Sequence, residues 1–393
     1  MTDCLSEWEF ATRIADAGGR LYRVGGSVRD WLLHRVSHDN DYVVTGLTSE
    51  AFETAFSKNS ANGKAFSVYR MFIEGSFVDV AMARREHQHG VGHKAFLVTS
   101  DGTVTLLEDL KRRDFTVNAM AIDVLTGQFI DPFNGKSDAA NRILRAVSTA
   151  FQEDSLRVYR GARFCSELNF SIEQETLCTM RSMRCNLTHL SVERVFGECK
   201  KAMLSSDPLQ FFTTLNHANV LFEHFFEIEK LICEDEQRQE IQRAVTWMVG
   251  NSAEPFMRFA AIVYPLQRKD KQHLGLRLNL PNLWKQAMEY AESDQTYFTK
   301  NKKEFAKHLV TVLARMKRST FGIQRYCIVM EAIAVAQESG RVAFYMSLPQ
   351  RFAEIEQEVR ELGFNSSIRP EDRTDYLHTE IAQRLYAMMT TML

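Results

Sequence analysis

Strand-like segments are confined to the first third of this 393-residue chain, and that confinement constrains the fold more than any other feature. β-Branched and aromatic residues, which favour strands, are concentrated in runs at 21–24, 41–44, 66–72, 77–81 and 129–130. Beyond about residue 143, the apolar residues recur with helical spacing. We therefore predict an α+β fold, in which a mixed-sheet head precedes an all-helical arm.

Composition excludes several classes of protein. The chain has 48 basic and 50 acidic residues, so its net charge of −2 supplies no overall basic field for nucleic acid, and such a contact has to be local. No run approaches the ~18 apolar residues of a membrane-spanning helix. The acidic N-terminus lacks the pattern of a secretory signal, and seven cysteines without a CxxC pair are typical of a reduced protein. We expect a cytoplasmic protein.

A glycine pair follows the first strand-like run. Gly25 and Gly26 precede a helical segment around Trp31, and the backbone N–H groups of such a turn can approach an anion. Arg29 can then offer its guanidinium to a phosphate. Taken alone, the motif fits a tight turn with a surface salt bridge better, because short glycine motifs often occur by chance.

Three aspartates are candidates for a metal site. Asp39 and Asp41 open the second strand-like run, and residues i and i+2 of a strand point to one face. Two carboxylates that close need a cation, and Mg²⁺ prefers oxygen ligands together with substrate phosphates. Asp79 lies inside another strand-like run and can complete the group. The alternatives are a polar turn for the first two and an exposed strand edge for Asp79.

Two charged motifs suit nucleotide recognition. Arg113 and Asp114 combine a guanidinium that binds phosphate with a carboxylate that accepts from sugar hydroxyls; the alternative is a solvated charge run. Asp154 and Arg157 have the i,i+3 spacing of one helix face, and together they can present an acceptor and a donor to a base edge. Ion pairing that only stabilises the helix is the alternative.

Five motifs in this order resemble those of class II tRNA nucleotidyltransferases, the CCA-adding enzymes related to bacterial poly(A) polymerase in the polymerase β superfamily. The motifs begin at Gly25, Asp39, Ala83, Arg112 and Glu153, and the resemblance covers roughly residues 20–225. It implies a polymerase β-like nucleotidyltransferase head followed by an all-α neck, body and tail. The corresponding ranges are 1–142, 143–205, 206–290 and 291–393.

The resemblance also implies roles for individual residues. Asp39 and Asp41 are similar to the ligands of the catalytic Mg²⁺, and Asp79 to the third carboxylate of the superfamily. Gly26 and Arg29 are similar to triphosphate contacts. The residues implied in nucleotide, ribose and base recognition are Arg113, Asp114, Asp154, Arg157, Arg160 and Arg163.

The implied reaction is attack of a tRNA 3′-hydroxyl on the α-phosphate of CTP or ATP, with release of pyrophosphate and the protein as template. The implied partners are tRNA, CTP and ATP, without a membrane; a monomer is favoured, with the oligomeric state open. Poly(A) polymerase and partial A-adding or CC-adding activity are the alternatives. A non-catalytic RNA-binding protein is disfavoured by the carboxylate pair Asp39 and Asp41.

Two segments differ from what the resemblance leads us to expect. Segment 84–108 is expected to be a flexible loop in which Gly90 and Gly92 give mobility. Its histidines form an unexpected group for which a metal site is the less favoured interpretation; they are His87, His89 and His93. Tyr264 and Pro265 stand where many relatives carry a His-Asp pair, so we predict no phosphohydrolase activity.

Basic residues are concentrated in two parts of the tail. They fit either contact with the phosphate backbone of a tRNA or a solvated helix face, with neither favoured. They are Lys300, Lys302, Lys303, Lys307, Arg315, Lys317 and Arg318.

Overall fold

The protein is described by a computed structural model that covers residues 5–36, 40–56, 68–88, 96–99, 101–292, 301–363 and 368–392. The chain divides into two compact units, Met1–Leu190 and Ser191–Leu393. No helix of the described residues is long and apolar enough to cross a membrane.

The first unit contains a six-stranded sheet in the order β3-β4-β2-β1-β7-β8. Strands β2 and β4 are parallel, whereas the other neighbours in this sheet are antiparallel. The six strands are β1 (Arg20–Val24), β2 (Asp41–Thr45), β3 (Val68–Ile73), β4 (Ser76–Met82), β7 (Ala121–Asp123) and β8 (Phe129–Ile130). The prediction of a mixed-sheet head is confirmed.

Two small sheets accompany the main one. They pair β5 (Arg85–Gln88) with β6 (Phe96–Thr99), and β9 (Ile143–Leu144) with β10 (Ser171–Ile172). The described residues of segment 84–108, which we expect to be a flexible loop, include β5, β6 and the start of a helix. Gly90, Gly92, His89 and His93 lie outside the described residues.

Eight helices pack in the described part of the first unit. They are α1 (Glu7–Asp16), α2 (Gly26–Leu32), α3 (Ser49–Phe56), α4 (Leu106–Lys111), α5 (Gly135–Ala140), α6 (Leu156–Leu168), α7 (Gln174–Ser182) and α8 (Arg184–Leu187). Capping explains where two of them begin: Ser6 and Glu9 form a reciprocal capping box at α1, and Thr105 with Glu108 does the same at α4. One apolar core of this unit joins α1 and α3 to strands β2, β3 and β4.

Helices make up the regular structure of the second unit's described residues. They are α9 (Val192–Ala202), α10 (Leu209–His217), α11 (Phe222–Cys233), α12 (Asp235–Gly250), α13 (Pro255–Val263), α14 (Arg268–Arg277), α15 (Asn282–Tyr290), α16 (Lys302–Arg318), α17 (Gly322–Ala336), α18 (Val342–Glu361) and α19 (Arg373–Met392), with a 3₁₀ turn at Pro370–Asp372. Ser191 and Pro281 are the N-cap residues of α9 and α15.

Candidate active site

Asp41 and Asp79 are direct neighbours across two strands. Asp41 is the first residue of β2, and the parallel register pairs it with Asp79 of β4. Paired residues of adjacent strands direct their side chains to one face of the sheet, and both residues are exposed. Because β4 lies between β3 and β2, the alternative that Asp79 occupies a sheet edge is wrong. Asp39 lies outside the described residues.

The turn after β1 brings a cation towards Asp41. Gly25 has a φ of 73°, a conformation that favours glycine, and it immediately precedes α2, which begins at Gly26. A Cβ atom on Gly25 would lie 3.2 Å from Nη1 of Arg113 and 3.5 Å from Oδ2 of Asp41. The glycine therefore leaves room for a guanidinium and a carboxylate to approach the same point.

Arg29 is buried instead of lying on the surface. Its side chain donates from Nη1 to Oδ1 of Asn118 at 2.9 Å and from Nε to Oδ1 of Asp30 at 2.9 Å. The residue is 4% exposed, and its guanidinium lies 5.3 Å from the ring centre of Phe164. The alternative of a surface salt bridge after the glycine turn is therefore wrong, because the pair with Asp30 lies at the edge of the core.

Asp109 links two consecutive arginines. Its fully buried carboxylate accepts from Arg112 at Oδ1, with Nη2 at 2.7 Å, and from Arg113 at Oδ2, with Nη2 at 3.2 Å. Burial opposes ionisation, but the two guanidinium groups outweigh it and hold the pKa of Asp109 below its usual value. The carboxylate therefore stays charged, and the orientation of both arginines depends on it.

Asp114 is the centre of a second buried network. Its Oδ2 accepts from Nε and Nη2 of Arg160 at 2.9 and 2.7 Å, and its Oδ1 accepts from Nδ2 of Asn118 at 3.0 Å. Burial opposes ionisation of Asp114, but Arg160 and Asn118 hold the pKa of its carboxyl well below its usual range. Because the amide of Asn118 also accepts from Arg29, the network extends from the glycine turn to α6.

Arg157 is held by the main chain. Its guanidinium donates from Nη1 to the carbonyl of Ala150 and from Nη2 to the carbonyl of Arg112 at 2.6 Å. Helix α6 begins at Leu156, so Asp154 precedes it and accepts from the Leu156 N–H at 3.0 Å. The prediction that Asp154 and Arg157 lie on one helix face is therefore wrong, since Asp154 has an extended backbone.

Arg163 occupies the next turns of the same helix. Its Nη1 donates to Oε2 of Glu167 at 2.6 Å, and its guanidinium lies 4.0 Å from the ring centre of Phe164. Arg160 also approaches this ring, at 5.4 Å. A cation over an aromatic face gains electrostatic energy, so Phe164 helps to fix both arginines.

Two buried polar residues of these networks, Asp109 and Asn118, were not among the predicted site residues. Asp109 has a signal in the sequence, because Arg112 and Arg113 follow it at i+3 and i+4, directly after α4 ends at Lys111. Asn118 has no such signal, since its partners Arg29 and Asp114 come from different elements.

The described residues contain no group of three or more His, Cys, Asp or Glu side chains that could hold a metal ion. The candidate ligands within them are the neighbours Asp41 and Asp79. Six cysteines are described, and all are free thiols.

Two segments of the chain match known domain families. Residues 21–145 match the poly A polymerase head domain, and residues 169–232 match the probable RNA and SrmB-binding site of polymerase A. The chain is therefore similar to polymerase A proteins over these two segments.

Curated relatives are similar over about half of the chain. The multifunctional CCA protein of Stenotrophomonas maltophilia is 42% identical over 217 residues, which cover 54% of this chain and 52% of that protein. The CCA-adding enzyme of Alteromonas mediterranea is 44% identical over 216 residues, which cover 53% of each. The chain thus matches about half the length of each relative.

Solved structures match nearly the whole chain. A CCA-adding enzyme in its apo form II covers 98% of this chain and 94% of its own, with a TM-score of 0.69 and 20% identity. The Bacillus stearothermophilus CCA-adding enzyme in complex with CTP covers 97% and 95%, with a TM-score of 0.67 and 23% identity. The Thermotoga maritima CCA-adding enzyme with tRNA covers 96% and 90%, with a TM-score of 0.68 and 20% identity. The chain therefore has the fold of CCA-adding enzymes.

Proposed function

We propose that this protein adds CCA to the 3′ ends of tRNA, using CTP and ATP. The observation that carries the proposal is the pairing of Asp41 with Asp79 on parallel strands, beside a glycine turn and the guanidinium of Arg113. These residues lie within 21–145, which matches the poly A polymerase head domain, and relatives named for CCA addition match about half of the chain. The proposal concerns the whole chain, of which the relatives match about half.

The carboxylates fit a hard divalent cation. Asp41 and Asp79 are exposed neighbours, and their oxygen donors suit Mg²⁺ better than a softer metal. We assign Asp39 to the same group from the sequence motif, with Asp39 and Asp41 as the metal ligands. Bound Mg²⁺ would supply charge stabilisation at the reacting phosphate and activate the attacking hydroxyl.

The residues near the glycine turn suit the triphosphate. Backbone N–H groups at Gly26 can donate to phosphate oxygens, as at other turns that open a helix. Nη1 of Arg113 lies beside Gly25 and can bind an oxygen of the phosphate chain. Arg29 is buried against Asn118, so we assign it the role of fixing the turn, and its proposed phosphate contact is left to the guanidinium donors that Asn118 and Asp30 do not use.

Base selection is assigned to the start of α6. We propose that Arg157 and Asp154 read the base edge, with Arg160 and Arg163 as further nucleotide contacts. The carbonyls of Ala150 and Arg112 hold the Arg157 guanidinium, and such fixed donors can distinguish cytosine from adenine by their acceptors. Asp114 already accepts hydrogen bonds from Arg160. Its proposed contact with the ribose therefore uses lone pairs of the carboxylate that Arg160 does not occupy.

Contact with the rest of the tRNA is assigned to the tail over 291–393. Lys302, Lys303 and Lys307 lie in or near the first turns of α16 and can meet backbone phosphates. Lys317 already pairs with Glu356 at 2.6 Å, so it is the weaker candidate.

The test supplies purified protein and Mg²⁺ with tRNA 3′ ends that lack CCA, end in C, or end in CC. CTP, ATP or both are added, and product length is read at single-nucleotide resolution. Growth of each substrate to CCA and no further supports the proposal. Only cytidines, a single adenosine or a long adenosine tail would instead assign the chain to a partial activity or to poly(A) synthesis.

A further inference from the structure

The proposed metal site lies close to a cation of the protein itself. Nη1 of Arg113 and Oδ2 of Asp41 both lie within 3.5 Å of the point where a Cβ of Gly25 would stand. A guanidinium that moved onto Asp41 would form a charge-assisted pair with it. Such a pair would compete with a divalent cation for the same carboxylate.

Asp109 holds Arg113 from the opposite side. It accepts from Nε and Nη2 of Arg113 at 3.4 and 3.2 Å, which leaves Nη1 as the nitrogen that faces Gly25. Nη1 also donates to the carbonyl of Asn118 at 3.4 Å. The guanidinium is thus held by three contacts, none of them to Asp41, and the carboxylate of Asp109 compensates its charge.

Asp109 itself cannot touch a substrate. Its side chain is fully buried in α4, and both of its oxygens accept from arginines. A buried carboxylate persists only where partners compensate its charge, so its position is fixed together with those of Arg112 and Arg113. Its effect on any reaction has to pass through these arginines.

We propose that Asp109 is a positioning residue that restrains Arg113 and so preserves the affinity of Asp41 for a divalent cation. The inference rests on the proposed function only in that Asp41 is a metal ligand. Without the charge of Asp109, Arg113 turns towards Asp41 and the metal binds less tightly. Nucleotide and tRNA do not enter this step.

The test compares wild-type protein with Asp109→Asn, which keeps the shape of the side chain and removes its charge. Mn²⁺ binding is measured by electron paramagnetic resonance of the free ion, without nucleotide or tRNA. We expect affinity to fall about tenfold, as for the loss of a little over 1 kcal/mol. In the tRNA assay, the Mg²⁺ concentration for half-maximal rate should rise similarly, while the rate at saturating Mg²⁺ recovers.

Three further variants separate positioning from a structural role. Asp138→Asn removes another buried carboxylate of the same unit, which accepts from Thr116 and Arg145; it should lower stability and leave Mn²⁺ affinity unchanged. Adding Arg113→Ala to Asp109→Asn should restore Mn²⁺ affinity. Asp109→Glu keeps the charge but displaces it, so it should weaken Mn²⁺ binding less than Asp109→Asn. It replaces Asp109→Asn in the test if Asp109→Asn does not fold.

The outcomes distinguish the two proposals. Unchanged Mn²⁺ affinity in both Asp109 variants, or weakened affinity that Arg113→Ala does not restore, overturns the role of Asp109. If wild-type protein binds Mn²⁺ and follows this pattern but does not extend tRNA, the proposed function fails and the role of Asp109 stands.

Discussion

Arg160 of α6 and Asp114 form a partly buried ion pair with two hydrogen bonds to one oxygen, at 2.9 and 2.7 Å. The pair fastens the helix that carries the proposed base-reading residues to the motif that follows α4. Asp114 is 7% exposed, so removal of Arg160 leaves a buried carboxylate without its cation, whereas the Arg160 side chain is 34% exposed.

The first prediction concerns this pair. Asp114→Asn should lower the free energy of unfolding by about 2 kcal/mol, because a neutral amide replaces the charged acceptor of the hydrogen bonds from Arg160. Unfolding in urea, followed by circular dichroism, measures the change. Asp16→Asn, at an exposed position of α1, is the control and should alter stability little.

The same variant should change the dependence of stability on pH. Folding lowers the pKa of the Asp114 carboxyl, because the interaction with Arg160 outweighs the opposing effect of burial. Its contribution is therefore complete above about pH 4, near the pKa of an unfolded aspartate, and is lost as the pH falls towards the folded pKa. The stability difference between wild type and Asp114→Asn should shrink below pH 4; a constant difference would contradict the assignment.

The second prediction concerns the carboxylates. Asp39→Ala and Asp41→Ala should each abolish transfer of both CTP and ATP, because the proposed metal loses a ligand. tRNA binding, measured by filter retention, should remain, since phosphate contacts elsewhere supply most of the affinity. Asp16→Ala is the matched control. Full activity in either variant would exclude these residues as ligands.

The strands around this site could be predicted from sequence, but their pairing could not. β-Branched and aromatic residues identify β2 and β4 locally. That β4 lies parallel to β2 and places Asp79 beside Asp41 depends on contacts between segments almost forty residues apart. The order of the motifs therefore predicted which carboxylates belong to the site, whereas only the structure shows that Asp41 and Asp79 are neighbours.

The contacts of the arginines could not be predicted from local sequence patterns either. Helical spacing grouped Arg157 with Asp154, yet α6 begins after Asp154 and Arg157 donates to the carbonyl of Arg112. Helix boundaries are set by the satisfaction of terminal N–H groups, and here Asp154 itself accepts from Leu156 N–H. A spacing rule that assumes a continuous helix fails at such a boundary.

The third prediction tests base selection. Arg157→Ala should reduce the preference between CTP and ATP by about tenfold or more, because it removes a fixed donor to the base edge. Values of kcat/KM for each nucleotide, on tRNA ending in CC and on tRNA lacking CCA, measure the preference. Arg181→Ala, at an exposed position of α7, is the control. Unchanged selectivity in Arg157→Ala would exclude this residue from base reading.

The fourth prediction compares a tightly packed glycine with one that has open space beside it. A Cβ on Gly135 would lie 2.2 Å from the carbonyl oxygen of Thr116, whereas one on Gly197 would meet nothing within 4 Å. Gly135→Ala should therefore destabilise the protein by about 2 kcal/mol or more through backbone displacement. Gly197→Ala, inside α9, should stabilise it by about 0.5–1 kcal/mol. Thermal unfolding compares them, and equal shifts would contradict the packing at Gly135.

The fifth prediction concerns Glu331 of α17. This residue is 9% exposed, and burial raises its pKa to about 7. The folded state therefore holds a proton that the unfolded state releases at lower pH, so stability is full below about pH 4.5 and falls as the pH rises through 7. Glu331→Gln cannot ionise, and at pH 8 it should be more stable than wild type by about 2 kcal/mol. Urea unfolding at pH 5 and pH 8 measures this, with the exposed Glu236→Gln as control. Equal stability of Glu331→Gln and wild type at pH 8 would contradict the burial of the carboxyl.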